Sequence, residues 1–301
     1  MATIVLIQVL NGLASASALF LVAAGLSLIF GVSRIVNFAH GSLFMLGAYI
    51  AVSLTQAMGK PYFWLAVPLA ALAVAAIGAA IEMLLLRRIY RVPELFQLLA
   101  TFGLVLIVKD LALWIWGPEE ILGPRAPGLT GAVRIAGKAV PEYDLALIAL
   151  GPLVLGALWL LLNRTRFGVL IRAATQDREM VGALGVNQAW LFTLVFALGA
   201  FLAGLGGAVQ LPREPAHLSL DITVISDAFV VVVVGGMGSI GGAYLAAVVI
   251  GLIKAFCIGL GEQTLFGIGV SFSKMTLVIE FVVMAVVLVV RPWGLLGKPQ
   301  A

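Results

Sequence analysis

The segment GGMGSIGG at 235–242 places Gly236, Gly238 and Gly241 in the G-x-G-x-x-G spacing of a dinucleotide-binding turn. That chemistry requires a strand before the turn, a helix after it and an acidic residue about 20 positions on. The flanks here are VVVVV and AYLAAVVIGLI, apolar on both sides. In such surroundings glycine serves the close approach of backbones, and Gly238 with Gly242 has small-xxx-small spacing. Gly235, Gly236, Gly238, Gly241 and Gly242 therefore read as helix-packing positions.

Hydrolytic, metal and redox chemistry lack their residues. No G-x-x-x-x-G-K-[S/T] phosphate loop occurs, so any ATP-driven step must draw on another subunit. His40 and His217 have no cysteine or carboxylate set at metal-ligand spacing, and no H-E-x-x-H helix or G-x-S-x-G elbow is present. The lone Cys257 lies in an apolar stretch without an intrachain partner and reads as a small packing residue. No catalytic residue, metal ligand or cofactor-binding residue is assigned to this chain.

Charges inside apolar runs say more. Glu82, Lys109, Asp110, Lys254 and Glu280 fall within or beside such runs. A charge at the bilayer centre costs about 2.5–3.5 kcal/mol on insertion scales, so each needs a partner or water. Arg87 and Arg88, about a turn further on, account for Glu82. Lys109 and Asp110 are chain neighbours and so point to different helices. Lys254 and Glu280 lie deeper and suit one another as a pair, either structural or lining a pathway. Asn37, His40 and Ser42, in the polar break at 34–42, are the other pathway candidates, because a Gly-interrupted apolar segment can supply hydrogen bonds at membrane depth. The plainer alternative for that break is a turn joining two spans.

The elements that position these residues follow from composition. The 301 residues are 62% hydrophobic and 11% charged, with a mean hydropathy of +1.16. A soluble domain carries about 25% charged residues, so much of this surface must face lipid. The net charge of +4 follows from cytoplasmic Lys and Arg, and no basic run with interleaved aromatics points to nucleic acid. Runs long enough to span occur at 4–30, 43–58, 62–86, 95–116, 145–162, 189–211, 243–260 and 275–290, with a shorter piece at 222–234. The expected fold is all-α: a polytopic transmembrane helical bundle of eight or nine spans with broken or short helices, forming one domain over 1–301. The first run lacks a charged n-region and is too long for a cleaved signal, so it reads as the first span.

Orientation follows from short basic loops. Arg87, Arg88 and Arg91 form one cluster, Arg164, Arg166, Arg172 and Arg178 a second, and Arg291 with Lys298 mark the end. These place the C-terminus inside, and the N-terminus and the loop at about 117–144 outside. The stretch at about 163–187 puts Leu170, Ala173, Ala174, Asp177, Val181 and Leu184 near helical spacing, which predicts one short amphipathic helix ended by Gly185. It is longer than a bare connection needs to be. It therefore docks to a partner, or else lies on the membrane surface.

Three blocks carry a family resemblance. GLSLIFGVSRIVNFAHGSLFMLGAY, RFGVLIRAATQDREMVGALGVN and VVVVGGMGSIGGAYLAAVVIGLI, in that order, resemble the permeases of high-affinity leucine-isoleucine-valine ABC importers, over nearly the whole chain. The resemblance implies a bacterial inner-membrane permease subunit that imports branched-chain amino acids. It also implies a homologous or identical second permease, two ATP-binding subunits that hold ATP and Mg²⁺, and a periplasmic substrate-binding protein. The middle block is similar to the coupling loop with its E-A-A-x-x-x-G pattern: Glu179 and Gly185 keep the separation, while Met180 and Val181 replace both alanines. On that resemblance Arg172, Gln176, Asp177, Arg178, Glu179 and Gly185 couple the permease to the ATPase. Related permeases carry urea or short amides. A stand-alone ion-coupled carrier would instead depend on Asp110, Lys254 or Glu280.

Overall fold

The N-terminal apolar run does not face lipid; it forms the central post of the bundle. The computed structural model describes residues 2–297 other than 36, 91, 136, 266 and 267, and their side chains apart from those of 2, 178, 179 and 263–270. Helix α1, Ala2–Ser33, is long enough at 1.5 Å per residue to exceed a bilayer core. Its sequence is rich in Ala, Ser and Gly, and four later helices close around it: α6, Glu142–Arg164; α9, Gln188–Gln210; α10, Leu220–Gly235; and α11, Ile240–Leu260. Small side chains are what permit so many neighbours. At Gly25 an added Cβ would sit 2.5 Å from the carbonyl oxygen of Gly199 on α9.

The remaining long helices are α2, His40–Met58; α3, Phe63–Ile81; and α5, Glu94–Trp116. Helix α3 runs on through a π-helical turn, Glu82–Leu86, into the short α4, Arg87–Ile89. Among the described residues, seven helical spans are long and apolar enough to cross a membrane. Two shorter helices, α10 and α12, Thr276–Val290, pack beside them. The chain is thus a multi-pass helical membrane protein. Two short antiparallel hairpins decorate it: β1, Ala132–Ile135, with β2, Lys138–Pro141, and β3, Glu262–Leu265, with β4, Ile268–Ser271.

One end of the bundle gathers Arg87, Arg88, Arg164, Arg166 and Arg172 and is called the basic end below. There the expected single amphipathic helix is two: α7, Arg166–Gln176, and α8, Arg178–Ala183. Asp177 separates them. Its backbone is extended, and its carboxylate accepts a hydrogen bond from the Met180 amide at 2.9 Å, capping α8. A side chain that competes for backbone donors in this way favours a new helix start over continuation. The expected stop at Gly185 is present, with φ at 82°, in the left-handed region glycine tolerates best. The buried stripe is Ile171, Ala174 and Val181, whereas Leu184 faces outward.

Candidate functional site

The polar break after α1 is not a surface turn. The chain leaves α1 at Ser33 through Arg34, whose φ of 57° is the left-handed exception among the described non-glycine residues. It then doubles back, so that α2 begins against Val22 rather than beside Ser33, roughly 16 Å along α1 at 1.5 Å per residue. Asn37, His40 and Ser42 are all buried. His40 Nε2 lies 3.1 Å from the Val22 carbonyl oxygen, and the Asn37 side-chain oxygen accepts from the Ala39 amide at 3.1 Å. Helix α10 begins beside the same point: a Cβ on Gly41 would fall on the backbone oxygen of Asp221. Two helices therefore start inside the protein with their N-terminal ends together.

Lys254 and Glu280 do approach, at 3.5 Å, but a third residue binds the lysine more closely. Asp227 on α10 accepts from Lys254 Nζ at 2.5 Å. The three residues tie α10, α11 and α12 together, and Glu280 is the buried residue of α12. Asp227 escaped the sequence reading although it interrupts the apolar piece at 222–234, the same signal that drew attention to Glu280. Asp221 was missed as well. A second unforeseen cluster joins α6 to the end of α9: Arg213 pairs with Asp144 at 3.0 Å, and the Tyr143 hydroxyl donates to the Val209 carbonyl at 2.6 Å.

Glu82 sits in the π turn and is fully buried. Arg87 bonds it at 3.2 Å, as the spacing predicts, and Thr193 of α9 and Tyr90 donate to it at 2.6 and 3.1 Å. Arg88 makes no ion pair with it. Lys109 is half-buried, while Asp110 is exposed on the open side of α5.

The glycine segment packs, but through different pairs. Gly235 faces Gly242 across the α10–α11 turn, where an added Cβ on either would lie 2.5 Å or less from the other's backbone. Gly238 instead has φ at 84° and approaches Gly31 only loosely, and Gly241 is nearly free. Small-xxx-small spacing therefore misplaced the contact, because the partner lies across a turn and not along one helix. Gly236, with φ at 100°, is covered by Gly294 and Gly297 of the C-terminal segment. The amides of Leu295 and Leu296 donate to the Val234 and Gly235 carbonyls at 2.8 and 3.1 Å, satisfying the last acceptors of α10.

At the basic end, Ile171 and Ala174 of α7 pack on Leu28 and Val32 of α1 and on Leu191 and Val195 of α9. The Arg172 guanidinium donates to the Leu162 carbonyl at the end of α6. Arg172, Gln176 and Asp177 face outward; the side chains of Arg178 and Glu179, like the residues Arg91 and Lys298, lie outside those described. A cavity of about 510 Å³ opens here between Arg34, Thr175, Gln176, Gly238 and Ser239. Among the described residues no group of His, Cys, Asp and Glu could hold a metal.

Seven long apolar helices, with helix starts and charge clusters buried among them, define a multi-pass helical membrane protein. The model of the family described as "Branched-chain amino acid transport system / permease component" matches residues 8–289, and the chain belongs to that family. It is 30% identical to the high-affinity branched-chain amino acid transport system permease protein BraD of Pseudomonas aeruginosa, over 97% of this chain and 96% of that one. It is 26% identical to the permease protein LivH of Salmonella typhimurium, with the same coverages. It also resembles LivM of that organism, at 27% identity over 92% of this chain and 67% of LivM.

Proposed function

We propose that this chain is the permease subunit of an ABC importer and passes branched-chain amino acids across the bacterial inner membrane. The observation that carries this reading is the family match from residue 8 to residue 289. The energy comes from separate subunits that bind ATP and Mg²⁺. A periplasmic binding protein delivers the substrate. That one organism holds two different relatives, LivH and LivM, supports a homologous second permease as the other half of the pore.

In this reading the basic end lies in the cytoplasm and the N-terminus outside, as the positive-inside rule directs. Helices α7 and α8 form the coupling element, and Arg172, Gln176, Asp177, Arg178, Glu179 and Gly185 lie on it. Its outward residues meet the ATPase, and its buried face rests on α1 and α9. Closure of the ATPase pair would shift α7 as a rigid piece and move the two helices that flank His40. An inward-facing versus outward-facing equilibrium is biased in this way only if the partner binds the two states unequally.

The test is co-purification of the tagged chain from native membranes in mild detergent, followed by reconstitution with whatever P-loop ATPase and second permease accompany it. ATP-dependent uptake of leucine supports the reading. Recovery of the chain alone, active with an ion gradient, overturns it in favour of a secondary carrier.

A further inference from the structure

Between α6 and the start of α11 runs a groove that no side chain of this protein fills. Its volume is about 550 Å³, and Pro152, Gly156, Trp159, Asn163, Ile240 and Gly241 line it. Ligand pockets commonly measure roughly 300–1,000 Å³. Both helices are membrane spans, and the lining is apolar apart from Asn163. Two glycines keep the groove open. A Cβ on Gly156 would meet nothing within 4 Å, and one on Gly241 would meet only Leu296, at 3.9 Å. Neither has a positive φ, so neither a close approach nor the backbone angle calls for glycine. Glycine weakens a helix relative to alanine, and what it leaves here is room.

The groove has a cationic mouth. The Arg164 guanidinium lies 5.9 Å from the centre of the Trp159 ring, within cation–π reach, and that ring is one wall of the groove. Arg164 itself stands roughly 7.5 Å further along α6, at the basic end. Among the described side chains it joins no ion pair. Asn163 donates to the Trp159 carbonyl at 3.0 Å, which leaves the second hydrogen of its amide nitrogen to offer. Apolar space inside the membrane, an aromatic ring at its edge and a free cation beyond the ring match the three levels of a phospholipid.

Charge decides which phospholipid. An acyl chain gains little by leaving its neighbours for this groove, since lipid tails are as apolar as the lining. Selectivity therefore falls to the headgroup, and an unpaired guanidinium prefers one with net negative charge. The positive-inside rule puts the basic end at the cytoplasmic leaflet, where anionic lipids attract basic residues beside membrane helices.

We infer that the groove between α6 and α11 is a binding site for an anionic phospholipid, one acyl chain lying over Gly156 and Gly241 and the headgroup phosphate meeting Arg164 and Asn163. The inference needs only that these helices span a membrane. It does not depend on the cargo or on the energy source.

Photo-crosslinking of the whole complex in nanodiscs tests it, with phosphatidylglycerol or phosphatidylcholine carrying a diazirine in one acyl chain and the labelled residues mapped by mass spectrometry. Phosphatidylglycerol should label the groove in excess of phosphatidylcholine, whereas both should label Leu99, exposed on α5, equally. One arginine near an anionic headgroup is worth about fivefold in binding, so Arg164→Gln should lower that excess by this factor and Arg164→Lys should keep most of it. Gly156→Phe fills the groove and should remove labelling of Ile240 and Gly241 by both lipids while Leu99 is labelled as before, a sign that the variant is folded. Equal labelling of the groove by the two lipids, or an excess that survives Arg164→Gln, would overturn the site. So would a groove that neither lipid labels while Leu99 is labelled, because a protein subunit would then cover it. Failure of ATP-driven leucine uptake would count against the importer reading and leave this site standing.

Discussion

At the scale of single residues, the energetic weight falls on charges that the membrane interior makes costly. Lys254 stands between Asp227 and Glu280, so its loss leaves two carboxylates facing each other in an apolar bundle. Removing one partner of a buried ion pair costs about 3–5 kcal/mol, and Lys254→Met should lower the thermal unfolding midpoint in detergent accordingly. The exchange Asp227→Lys with Lys254→Asp should recover part of that loss relative to either single substitution. A double variant no more stable than the singles would show that the pair does not interact. Glu82 predicts a smaller effect. Glu82→Gln keeps the shape and can still accept from Thr193 and Tyr90, but it gives up the charge that holds Arg87. It should therefore destabilise less than Glu82→Ala in the same melting experiment.

At the scale of elements, close backbone contacts decide what can be substituted. The Gly235–Gly242 approach leaves no space for a side chain, so Gly235→Val should force α10 and α11 apart and reduce the folded yield in the membrane. Gly241→Ala, with only Leu296 near at 3.9 Å, should be tolerated, and folded yields of the two variants measured side by side check the difference. Gly185 is different in kind, because open space surrounds it and only its backbone angle matters. Gly185→Ala places a side chain at positive φ, at a cost of about 1–2 kcal/mol. In the coupling reading it should lower substrate-stimulated ATPase activity while membrane insertion stays intact. Unchanged stimulation would remove α8 from the coupling element.

At the scale of the whole molecule, the testable feature is orientation. Cys257 is buried, so Cys257→Ser gives a background in which single cysteines can be introduced. A cysteine at Gln176 should react with a membrane-impermeant maleimide only in inside-out vesicles, and one at Gly128 only in right-side-out vesicles. Labelling with the opposite sidedness would invert the proposed topology. The arrangement around α1 also explains why the chain can carry polar groups at depth. With α6, α9, α10 and α11 wrapped around a core of small side chains, His40 and Asp221 are shielded from lipid by protein.

The membrane setting, the helical class, the basic end and the span boundaries were legible in the sequence because they depend on composition and local periodicity, which act along one helix at a time. The helix predicted over 95–116 appears as Glu94–Trp116, and the one over 189–211 as Gln188–Gln210. Glu82 with Arg87 was legible for the same reason, since both lie on one helical path. What only the tertiary structure decided was which elements meet. Asp227 reaches Lys254 across 27 positions, and Thr193 reaches Glu82 across 111. Such pairings depend on the rotation and depth of separate helices, which no spacing along the chain encodes. The return of the chain from Ser33 to the level of Val22 is of this kind too: the same residues could have made a short surface turn. Packing of α2 against α9, α3 and α10 holds it back in the bundle, and with it the polar groups on which the proposed pathway depends.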